Sequence, residues 1–315
     1  MTRRIVIAFL ALGAWIAGST LGVAGPPPQP AEARPLLQIG AAHADYVPAI
    51  DGSDPIFILL LGSDARPGES VDGARTDSIH LVGINPAKHR AAVVGFPRDS
   101  WVEIPGLGSQ KINTALFYGG PDLVVATVEN LTGIRIDYWA LTSFDGIKAM
   151  VNGVGGLVID VPLPMYDSAS GSNFDPGRQR LDGRDVLSFS RDRHSLPTGD
   201  FGRSENQGQV VVAALAKFRK EFASDPSRLF TWVAAGLRNV QTAVPLDQVL
   251  SLAFTCTTID PERVENIVLP GSTGSAGGSS VVLLSSQAEA IFADMRADGL
   301  VATKNLPPSP NGLRD

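Results

Sequence analysis

Nearly continuous apolar runs predict the central strands of this chain. IFILLLG at residues 56–62 is apolar up to its closing glycine, and SIHLVGI at 78–84 and AAVVGFP at 91–97 repeat the pattern. A strand that is covered on both faces need not alternate apolar and polar positions, so such runs are typical of strands buried inside a layered protein. Similar runs later in the chain are LVIDVP, VENIVLP and SSVVLL.

Apolar residues at helical spacing are found mainly in the later part of the chain. They predict helices over residues 122–133, 144–156, 207–222, 226–239, 246–257 and 285–299. Gly299 is expected to end the last helix, because glycine is favoured where a helix closes in a left-handed turn. GSTGSAGGSS (271–280) predicts a flexible loop, since no Lys-Ser or Lys-Thr follows it as in a phosphate-binding loop. Strands followed by helices and then by more strands predict a layered α/β domain.

The N-terminus has the composition of a membrane segment. Residues 1–4 contain two arginines and predict a cytoplasmic stub, and residues 5–25 then run without a charge for about the length of a membrane-spanning helix. Because positive charge stays inside, the rest of a single-pass protein anchored in the cell membrane is expected on the extracellular face. Residues 22–24, Gly-Val-Ala, resemble a signal-peptidase site, so a cleaved signal peptide is the alternative.

Composition sets the other boundaries. Residues 26–54 begin with a proline-rich stretch, GPPPQPAEARP, and predict an extended extracellular linker. The catalytic domain is expected over residues 55–302, and residues 303–315 are predicted to be a disordered tail.

Charge and cysteine content exclude several classes of protein. The chain has 315 residues, a hydrophobic share of 44% and a formal net charge of −6. Nucleic-acid surfaces carry a broad excess of lysine and arginine, so no nucleic-acid partner is expected. Cys256 is the only cysteine and lies in an apolar run, which excludes an internal disulfide and favours a core residue over a nucleophile. The sequence does not indicate an oligomeric state.

Four polar clusters interrupt this apolar pattern. GSDAR (62–66), ARTDS (74–78) and PRDSW (97–101) adjoin the ends of predicted strands, and the fourth is SRDRHSLPTGDFGRSENQGQ at 190–209. Strand ends in α/β proteins hold side chains that converge on a site. Any one Arg-Asp pair is as well explained by a surface ion pair contributing about 0 to 1 kcal/mol. Four such clusters in one acidic chain favour a shared site.

The arginines of these clusters match a ligand with several negative charges. Guanidinium groups bind phosphate oxygens in pairs and stay charged at any relevant pH. A pyrophosphate fits this set, which consists of Arg75, Arg98, Arg191, Arg193 and Arg203. Lys111 in SQKIN is solvated by default, but it follows PRDSW closely enough to predict a phosphate contact.

Carboxylates beside a phosphate site require a separate explanation. They would repel the ligand unless they bind a divalent cation, and Mg²⁺ is usually held by one or two carboxylates together with phosphate oxygens. Asp64 and Asp77 are the candidate ligands, with Mn²⁺ as an alternative ion. Either could instead act as the general base that takes a proton from an attacking hydroxyl.

Other catalytic motifs are absent from the sequence. It contains no GxSxG, GxxxxGK[ST] or HExxH motif. The four histidines are scattered, which disfavours a histidine metal cluster. His80 is interpreted as a partner or filler along a strand, and His194 as a ligand contact in the fourth cluster.

Long motifs in the same order resemble the LytR-CpsA-Psr (LCP) family. They include LLLGSDAR, ARTDSIHLVGINP, VVGFPRDSWVEIPG and LDGRDVLSFSRDRHSLPTGDFGRSENQ, and the resemblance runs from about residue 56 to residue 220. It implies a single three-layer αβα domain with a central mixed sheet, after an N-terminal membrane-anchor helix. It also implies an Mg²⁺-dependent phosphotransferase that moves a glycopolymer phosphate from a polyprenyl-pyrophosphate carrier to a peptidoglycan hydroxyl. The polyprenyl tail would occupy an apolar tunnel.

The resemblance also assigns roles to individual residues. Matching the motifs places the catalytic group at Asp64, Asp77, Arg75 and Arg98, with the metal near Asp64 and Asp77. The pyrophosphate-binding positions are Arg75, Arg98, Lys111, Arg191, Arg193, Arg203 and Gln207. Asp99 and Asp200 are supporting residues, and Asp200 is expected to cap a helix or hold the arginines. Asn206 departs from the family, in which many members carry a charged residue at this position.

Two alternatives to a transferase remain open from the sequence. A water in place of the sugar hydroxyl would make the same site a lipid-pyrophosphate hydrolase. A non-catalytic polyprenyl-phosphate binding, scaffold or regulatory protein is the second alternative. DNA binding conflicts with both the expected topology and the lack of a basic recognition helix.

Overall fold

The computed structural model describes residues 37–42, 54–66, 69–237, 240–242 and 244–313. The predicted stub, the predicted anchor and most of the predicted linker lie outside these residues. Within the described residues, none of the helices combines the length and the apolar character needed to span a membrane.

Strands and helices alternate along the described chain. The strands are β1 (Leu37–Ala41), β2 (Ile56–Ser63), β3 (Thr76–Asn85), β4 (Arg90–Gly95), β5 (Trp101–Ile104), β6 (Gly108–Lys111), β7 (Tyr138–Thr142), β8 (Leu157–Val161), β9 (Met165–Asp167), β10 (Ser172–Phe174), β11 (Gly177–Leu181), β12 (Val240–Thr242), β13 (Val264–Val268), β14 (Gly271–Ala276) and β15 (Ser279–Leu284). The helices are α1 (Ala115–Thr132), α2 (Phe144–Gly153), α3 (Gly183–Arg191), α4 (Asp200–Ser224), α5 (Arg228–Leu237), α6 (Leu246–Thr258) and α7 (Gln287–Asp298).

Seven strands form the central mixed sheet, in the order β12-β1-β7-β2-β3-β4-β13. The three predicted apolar runs become β2, β3 and β4, which pair antiparallel in the middle of the sheet. Parallel pairs join β2 to β7, β4 to β13 and β1 to β12. LVIDVP and SSVVLL do form strands, β8 and β15, but these belong to separate two-stranded sheets.

Helices cover both faces of this sheet. Side chains alternate between the faces of a strand, so Leu59 and Leu60 of β2 point in opposite directions. Leu59 packs in a fully buried cluster with residues of α1 and α7, such as Val128 and Ile291. Leu60 belongs to the opposite cluster, which α4 and α6 cover. The prediction of a three-layer αβα fold with a mixed sheet is therefore confirmed.

A second, smaller core supports the loop at residues 190–199. It is built by α2, α3 and the two-stranded sheets β8–β11 and β9–β10, with Phe189 and Val186 fully buried. The aspartate Asp182 starts α3 by accepting hydrogen bonds from the backbone N–H groups of Arg184 and Asp185, a typical helix N-cap. This core fixes the end of α3, from which the arginine-rich loop leaves.

The structure differs from three of the predicted boundaries. Strand β1 lies inside the predicted linker and pairs with β7, so the sheet begins before residue 55. The predicted flexible loop at 271–280 is mostly the hairpin β14–β15, whose turn uses the positive φ angles of Gly277 and Gly278. The glycines and serines of β14 hid that strand, because it is mostly solvent-facing and carries no apolar run.

The predicted tail also differs, because it packs against α4. Asn311 donates hydrogen bonds from its side chain to the Gly202 carbonyl (2.8 Å) and to Asn206 Oδ1 (2.9 Å). Its backbone N–H donates to Glu205 Oε2 at 2.7 Å. Polar contacts of this kind leave no apolar pattern in the sequence, which explains the wrong prediction.

Candidate functional site

Polar side chains from five separate segments surround one pocket at the ends of the central strands. We call this cavity of about 320 Å³ the arginine pocket. Among the described residues, its charged lining consists of Asp64, Arg66, Asp77, Arg98, Asp167, Arg191, Arg193 and Arg203. The end of β2, the start of β3 and the end of β4 meet at this edge because the three strands are antiparallel neighbours. The topology thus unites the four polar clusters of the sequence.

A local irregularity of β2 positions Asp64. The register of β2 against β3 shifts between Gly62 and Ser63, where a bulge re-aims the chain. Asp64 N–H then donates to the Arg75 carbonyl, and the Arg75 N–H donates to Asp64 Oδ1, both at 3.0 Å. This reciprocal pair ties the segment after β2 to the segment before β3. The Arg75 side chain is exposed and lines an adjoining cleft rather than the arginine pocket.

Asp77 is the centre of the charge cluster. Its Oδ1 accepts a hydrogen bond from Arg98 Nη1 and lies 3.6 Å from Arg203 Nη1. Burial lowers the pKa of Arg98, but the charges of Asp77 and Asp99 outweigh burial and raise the pKa above its ordinary value. For Arg203 burial dominates, and its pKa is lowered despite the same carboxylate. Arginine nevertheless stays protonated at physiological pH, so both guanidiniums remain cationic.

Asp200 holds two arginines instead of capping its helix. Its Oδ1 lies 3.7 Å from Arg193 Nη1 and 3.4 Å from Arg203 Nη2. The N-cap of α4 is Gly199, with φ of 57°, and no side chain caps it. The buried Asp200 Oδ1 makes no conventional hydrogen bond in the described structure. Asp200 therefore orients Arg193 and Arg203 toward the pocket by charge alone.

Arg191 and Gln207 lie where the pocket meets the apolar interior. The Arg191 guanidinium carbon is 4.8 Å from the centre of the Phe144 ring, a cation–π contact that fixes the side chain. Gln207 Nε2 donates to the Asp77 carbonyl (3.2 Å) and to the Ser190 carbonyl (3.1 Å). Gln207 thus links β3 to the end of α3 and holds Asp77 and Arg191 at a fixed separation.

Lys111 and Asp99 pair with each other beside the pocket. Lys111 Nζ lies 3.2 Å from Asp99 Oδ2, and Asp99 Oδ1 lies 3.9 Å from Arg98 Nε. Neither residue is among those that line the arginine pocket. Their contacts place them behind Arg98, where Asp99 supports that guanidinium and Lys111 balances the charge.

Several lining residues were not among the predicted site residues. Asp167 accepts hydrogen bonds from the Ala169 and Ser170 N–H groups and contacts His194 Nδ1 at 3.2 Å. Burial raises the pKa of Asp167, but these contacts outweigh it and lower the pKa. Arg66 and Phe144 also line the pocket. No motif singles out Asp167, whereas Arg66 stands in the GSDAR cluster and could have been included on that basis.

An apolar interior opens onto the arginine pocket. The outer apolar cavity, about 290 Å³, shares Asp77, Phe144 and Arg191 with the pocket. The inner apolar cavity, about 380 Å³, shares Ile39, Leu60 and Val211 with the outer one. Apolar residues of the sheet and of α4, α5 and α6 line the inner cavity. The arginine pocket and the two apolar cavities therefore adjoin one another, and the series leads from a cluster of guanidinium groups to an apolar interior.

The two halves of α4 explain how this space is formed. In the first half, Gly208 lies so close to β13 that an added Cβ would come within 1.9 Å of Asn266 Oδ1. Likewise, a Cβ on Gly95 of β4 would come within 2.4 Å of Ser204 Oγ. In the second half, Val211 and Leu215 are only half-buried and line the inner cavity. The helix is thus packed tightly beside the arginine pocket and loosely over the cavity.

Cys256 and His80 lie on the cavity side of the sheet. Cys256 lines the inner cavity, and burial raises the pKa of its thiol to about 11, so it is not a reactive thiolate. His80 lies between Ser78 Oγ and the Ser204 carbonyl, each 3.0 Å from a ring nitrogen. Burial lowers the pKa of His80 to about 4, so the ring is neutral at pH 7. Both agree with the structural interpretation made from the sequence.

The donor set fits a Mg²⁺ ion that also binds phosphate. No group of three or more His, Cys, Asp or Glu residues suited to a metal occurs in the described part of the chain. Mg²⁺ commonly needs only one or two carboxylates, because phosphate oxygens and water complete its shell. Asp64 and Asp77 line the same pocket, and their described side-chain contacts involve Oδ1. The Oδ2 atoms are therefore the candidate ligands.

An αβα domain whose apolar cavity ends at an arginine pocket defines a class of protein suited to ligands with an anionic head and an apolar tail. Comparison with known proteins identifies the family. The LytR_cpsA_psr family model matches residues 38–297, and the chain belongs to this family. The match begins in β1, in agreement with the early start of the sheet.

Relatives with a name and relatives with a solved structure support this assignment. The chain is 38% identical over 239 residues to the polyisoprenyl-teichoic acid–peptidoglycan teichoic acid transferase TagU of Bacillus mycoides, covering 76% of each chain. The crystal structure of B. subtilis TagV superposes with a TM-score of 0.66 at 27% identity, covering 78% of this chain and 96% of TagV. A structure described as TagT bound to LI-WTA gives a TM-score of 0.64 at 26% identity, covering 81% and 92% of the two chains.

Proposed function

We propose that this protein transfers a glycopolymer phosphate from a polyprenyl-pyrophosphate carrier to a hydroxyl group of peptidoglycan. The observation that carries the proposal is the series of adjoining cavities, from the inner apolar cavity through the outer one to the arginine pocket. A polyprenyl pyrophosphate has a long apolar tail and a compact anionic head, which match the apolar cavities and the arginine pocket. The name of the TagU relative describes a transfer of the same kind.

The chemistry requires positioning and neutralisation of charge more than a covalent nucleophile. The acceptor oxygen attacks the phosphorus that carries the glycopolymer, and the bridging P–O bond of the pyrophosphate breaks. The electron pair of that bond leaves on the polyprenyl monophosphate, and the hydroxyl proton passes to water. Fixed guanidiniums stabilise the charge that develops on the leaving phosphate.

Individual residues have distinct tasks in this proposal. Arg98 and Arg203, both paired with Asp77, hold the phosphates from the sheet side. Arg191, at the end of α3, and Arg193, in the loop that follows, also line the pocket and contact the phosphates. Asp64 and Asp77 would hold Mg²⁺, with Mn²⁺ as a substitute, and the bound ion would neutralise phosphate charge. No ATP is needed, because the carrier's anhydride bond supplies the energy.

The proposed location follows from the sequence of residues 1–25. An N-terminal anchor in the cell membrane would hold the domain on the extracellular face, where the carrier and peptidoglycan are accessible. Fractionation of cells that produce the full chain tests this: the protein should remain with membranes and be digested by protease added outside.

An assay with defined substrates tests the activity. Full-length protein in detergent, Mg²⁺, a polyprenyl-pyrophosphate glycan and peptidoglycan should give a joined product, and a chelator should suppress it. We expect Arg98→Ala to lower kcat/KM by about 100-fold or more, because it removes a fixed cation beside the developing charge. Arg219→Ala is the matched control, since Arg219 lies on α4 in an ion pair with Asp260 away from the pocket.

The same assay separates the alternatives. Release of free phosphoglycan at one rate with and without acceptor would identify a hydrolase. Tight binding of the carrier without any turnover would identify a binding or scaffold protein. Full activity in Arg98→Ala, with folding verified by thermal denaturation, would contradict the site assignment.

A further inference from the structure

A second cleft adjoins the arginine pocket through residues other than those that border the apolar cavities. We call this open cavity of about 560 Å³ the aromatic cleft. It shares Asp64 and Arg66 with the arginine pocket, whereas the outer apolar cavity shares Asp77, Phe144 and Arg191. The aromatic cleft and the outer apolar cavity therefore meet the arginine pocket through different residues.

An exposed aromatic pair borders this cleft. Phe117 lines it, and Phe117 and Tyr118 remain 57% and 56% exposed, with ring centres 5.2 Å apart in an edge-to-face arrangement. Non-helical backbone at Gly119 and Gly120 separates the first turn of α1, which carries both rings, from the rest of the helix. Adjacent large aromatic side chains that are left in water beside a binding pocket indicate a contact surface.

The rest of the cleft is polar. Arg66, Glu69, Ser70 and Arg75 contribute charged or hydroxyl groups, and all four are exposed. The backbone N–H of Arg66 donates to Glu69 Oε2 at 2.8 Å, which fixes Glu69 beside the cleft. An aromatic face surrounded by hydrogen-bonding groups suits a sugar, whose C–H face packs on a ring while its hydroxyls bond around the rim.

The geometry of the reaction indicates whether the cleft binds a sugar of the donor or of the acceptor. In phosphoryl transfer the attacking and leaving oxygens lie roughly in line on opposite sides of the phosphorus. The leaving group is the polyprenyl monophosphate, whose tail extends toward the apolar cavities. The attacking hydroxyl must then approach from a side other than that of the apolar cavities, and the aromatic cleft meets the arginine pocket through Asp64 and Arg66, which do not line those cavities.

We propose that the aromatic cleft binds the peptidoglycan glycan strand that supplies the attacking hydroxyl, with Phe117 as its stacking surface and Tyr118 supporting that ring by its edge-to-face contact. This inference rests on the transfer reaction proposed above and adds the acceptor subsite to it. The acceptor proton and the leaving phosphate follow the balance already given, so the cleft contributes binding and orientation alone.

Kinetics of aromatic variants test the acceptor subsite. Phe117→Ala and Tyr118→Ala should each raise the KM for soluble peptidoglycan glycan strands by about three- to tenfold, the range expected for one lost aromatic contact. The kcat and the dissociation constant of the polyprenyl-pyrophosphate glycan should stay within about twofold. Phe117→Tyr keeps the ring and should restore the KM.

Phe254→Ala is the matched control. Phe254 is 58% exposed and makes a similar edge contact with Phe222 at 6.2 Å, but it lies on α6. An unchanged acceptor KM in the Phe117 and Tyr118 variants would overturn the proposal. A parallel loss of donor affinity would also overturn it, because the cleft would then hold the donor's own glycan.

Direct binding keeps this test separate from the proposed reaction. Soluble glycan strands, added without donor, should bind the wild-type protein and bind the Phe117→Ala variant three- to tenfold more weakly. If wild-type protein binds no carrier and transfers nothing, the proposed function fails while the glycan-binding result still stands. If transfer occurs but glycan strands bind both proteins equally, only the acceptor subsite fails.

Discussion

On the face of the central sheet covered by α1 and α7, Leu59, Leu81 and Val94 are fully buried. On the face covered by α4 and α6, Leu60 and Val211 are half-buried and border an apolar cavity. The same strands supply equally apolar side chains to both faces, so composition does not account for the difference. The difference comes from how closely the covering helices pack against each face.

Protein interiors are close-packed, and unfilled apolar space costs stability. A face that retains such space has given up part of the stability that the closed face provides. The cost is understandable if a ligand fills the space. The comparison therefore separates a face that holds the fold together from a face that would hold the carrier lipid in the proposed function, and three predictions test this separation.

The largest expected effect comes from truncating two neighbours on β2. Leu59→Ala should lower the free energy of unfolding by about 3 kcal/mol, since it opens a void in a dense core. Leu60→Ala should lower the free energy of unfolding by about 1 kcal/mol, because that side chain already borders a cavity. Denaturant unfolding of both variants measures the difference. Equal losses would show that the cavity is closed in solution.

Acidification should affect the cavity face through His80. The unfolded chain has a His80 pKa near 6.5 and binds more protons than the folded protein between that value and about 4. The contribution of His80 is therefore complete above pH 6.5 and is lost as the pH falls toward 4, by on the order of 3 kcal/mol at the lowest pH. His80→Gln can still donate to the Ser204 carbonyl and should show a flatter pH dependence. Parallel pH profiles of the free energy of unfolding for the wild-type protein and His80→Gln would contradict this prediction.

A larger side chain should destabilise the closed face and be tolerated on the face that borders the cavity. Ala288 lies on α7 and belongs to the closed core. Ala288→Phe should lower the free energy of unfolding by about 1 to 3 kcal/mol, because it overpacks this core. Ala253→Phe projects into the inner cavity and should change the stability by less than about 1 kcal/mol. It should weaken polyprenyl-pyrophosphate binding at least tenfold, as measured by titration. Unchanged binding in Ala253→Phe would show that the tail does not use the inner cavity.

Local sequence signals predicted much of the fold. Strands β2, β3 and β4 could be found because burial on both faces demands apolar runs, and the αL conformation of Gly299 ends α7 as expected. Strand β1 was missed, because five residues after a proline-rich stretch carry too short a pattern. The helix α3 was missed because its polar exposed face conceals its two buried anchors, Val186 and Phe189.

The candidate site was predicted unevenly for a related reason. Residues inside recognisable polar clusters, such as Asp77 and Arg98, do line the arginine pocket. Lys111 and Arg75 are also cationic and also lie in polar motifs near strand ends, but neither lines the arginine pocket. Lys111 pairs with Asp99, and Arg75 lines the aromatic cleft. A motif records that a side chain is polar and near a strand end. It does not record the direction in which that side chain points.

The sequence by itself determined the α/β class, the family, the central strands and the concentration of arginine at their ends. These follow from short-range patterns, because apolar periodicity and motif order are properties of neighbouring residues. The tertiary structure decided that α4 packs tightly at Gly208 and loosely at Val211, and that Asp167 joins the pocket. It also placed Phe117 and Asp64 in the lining of the same cleft. A cavity is a space between distant segments, and no local pattern encodes how closely two segments approach.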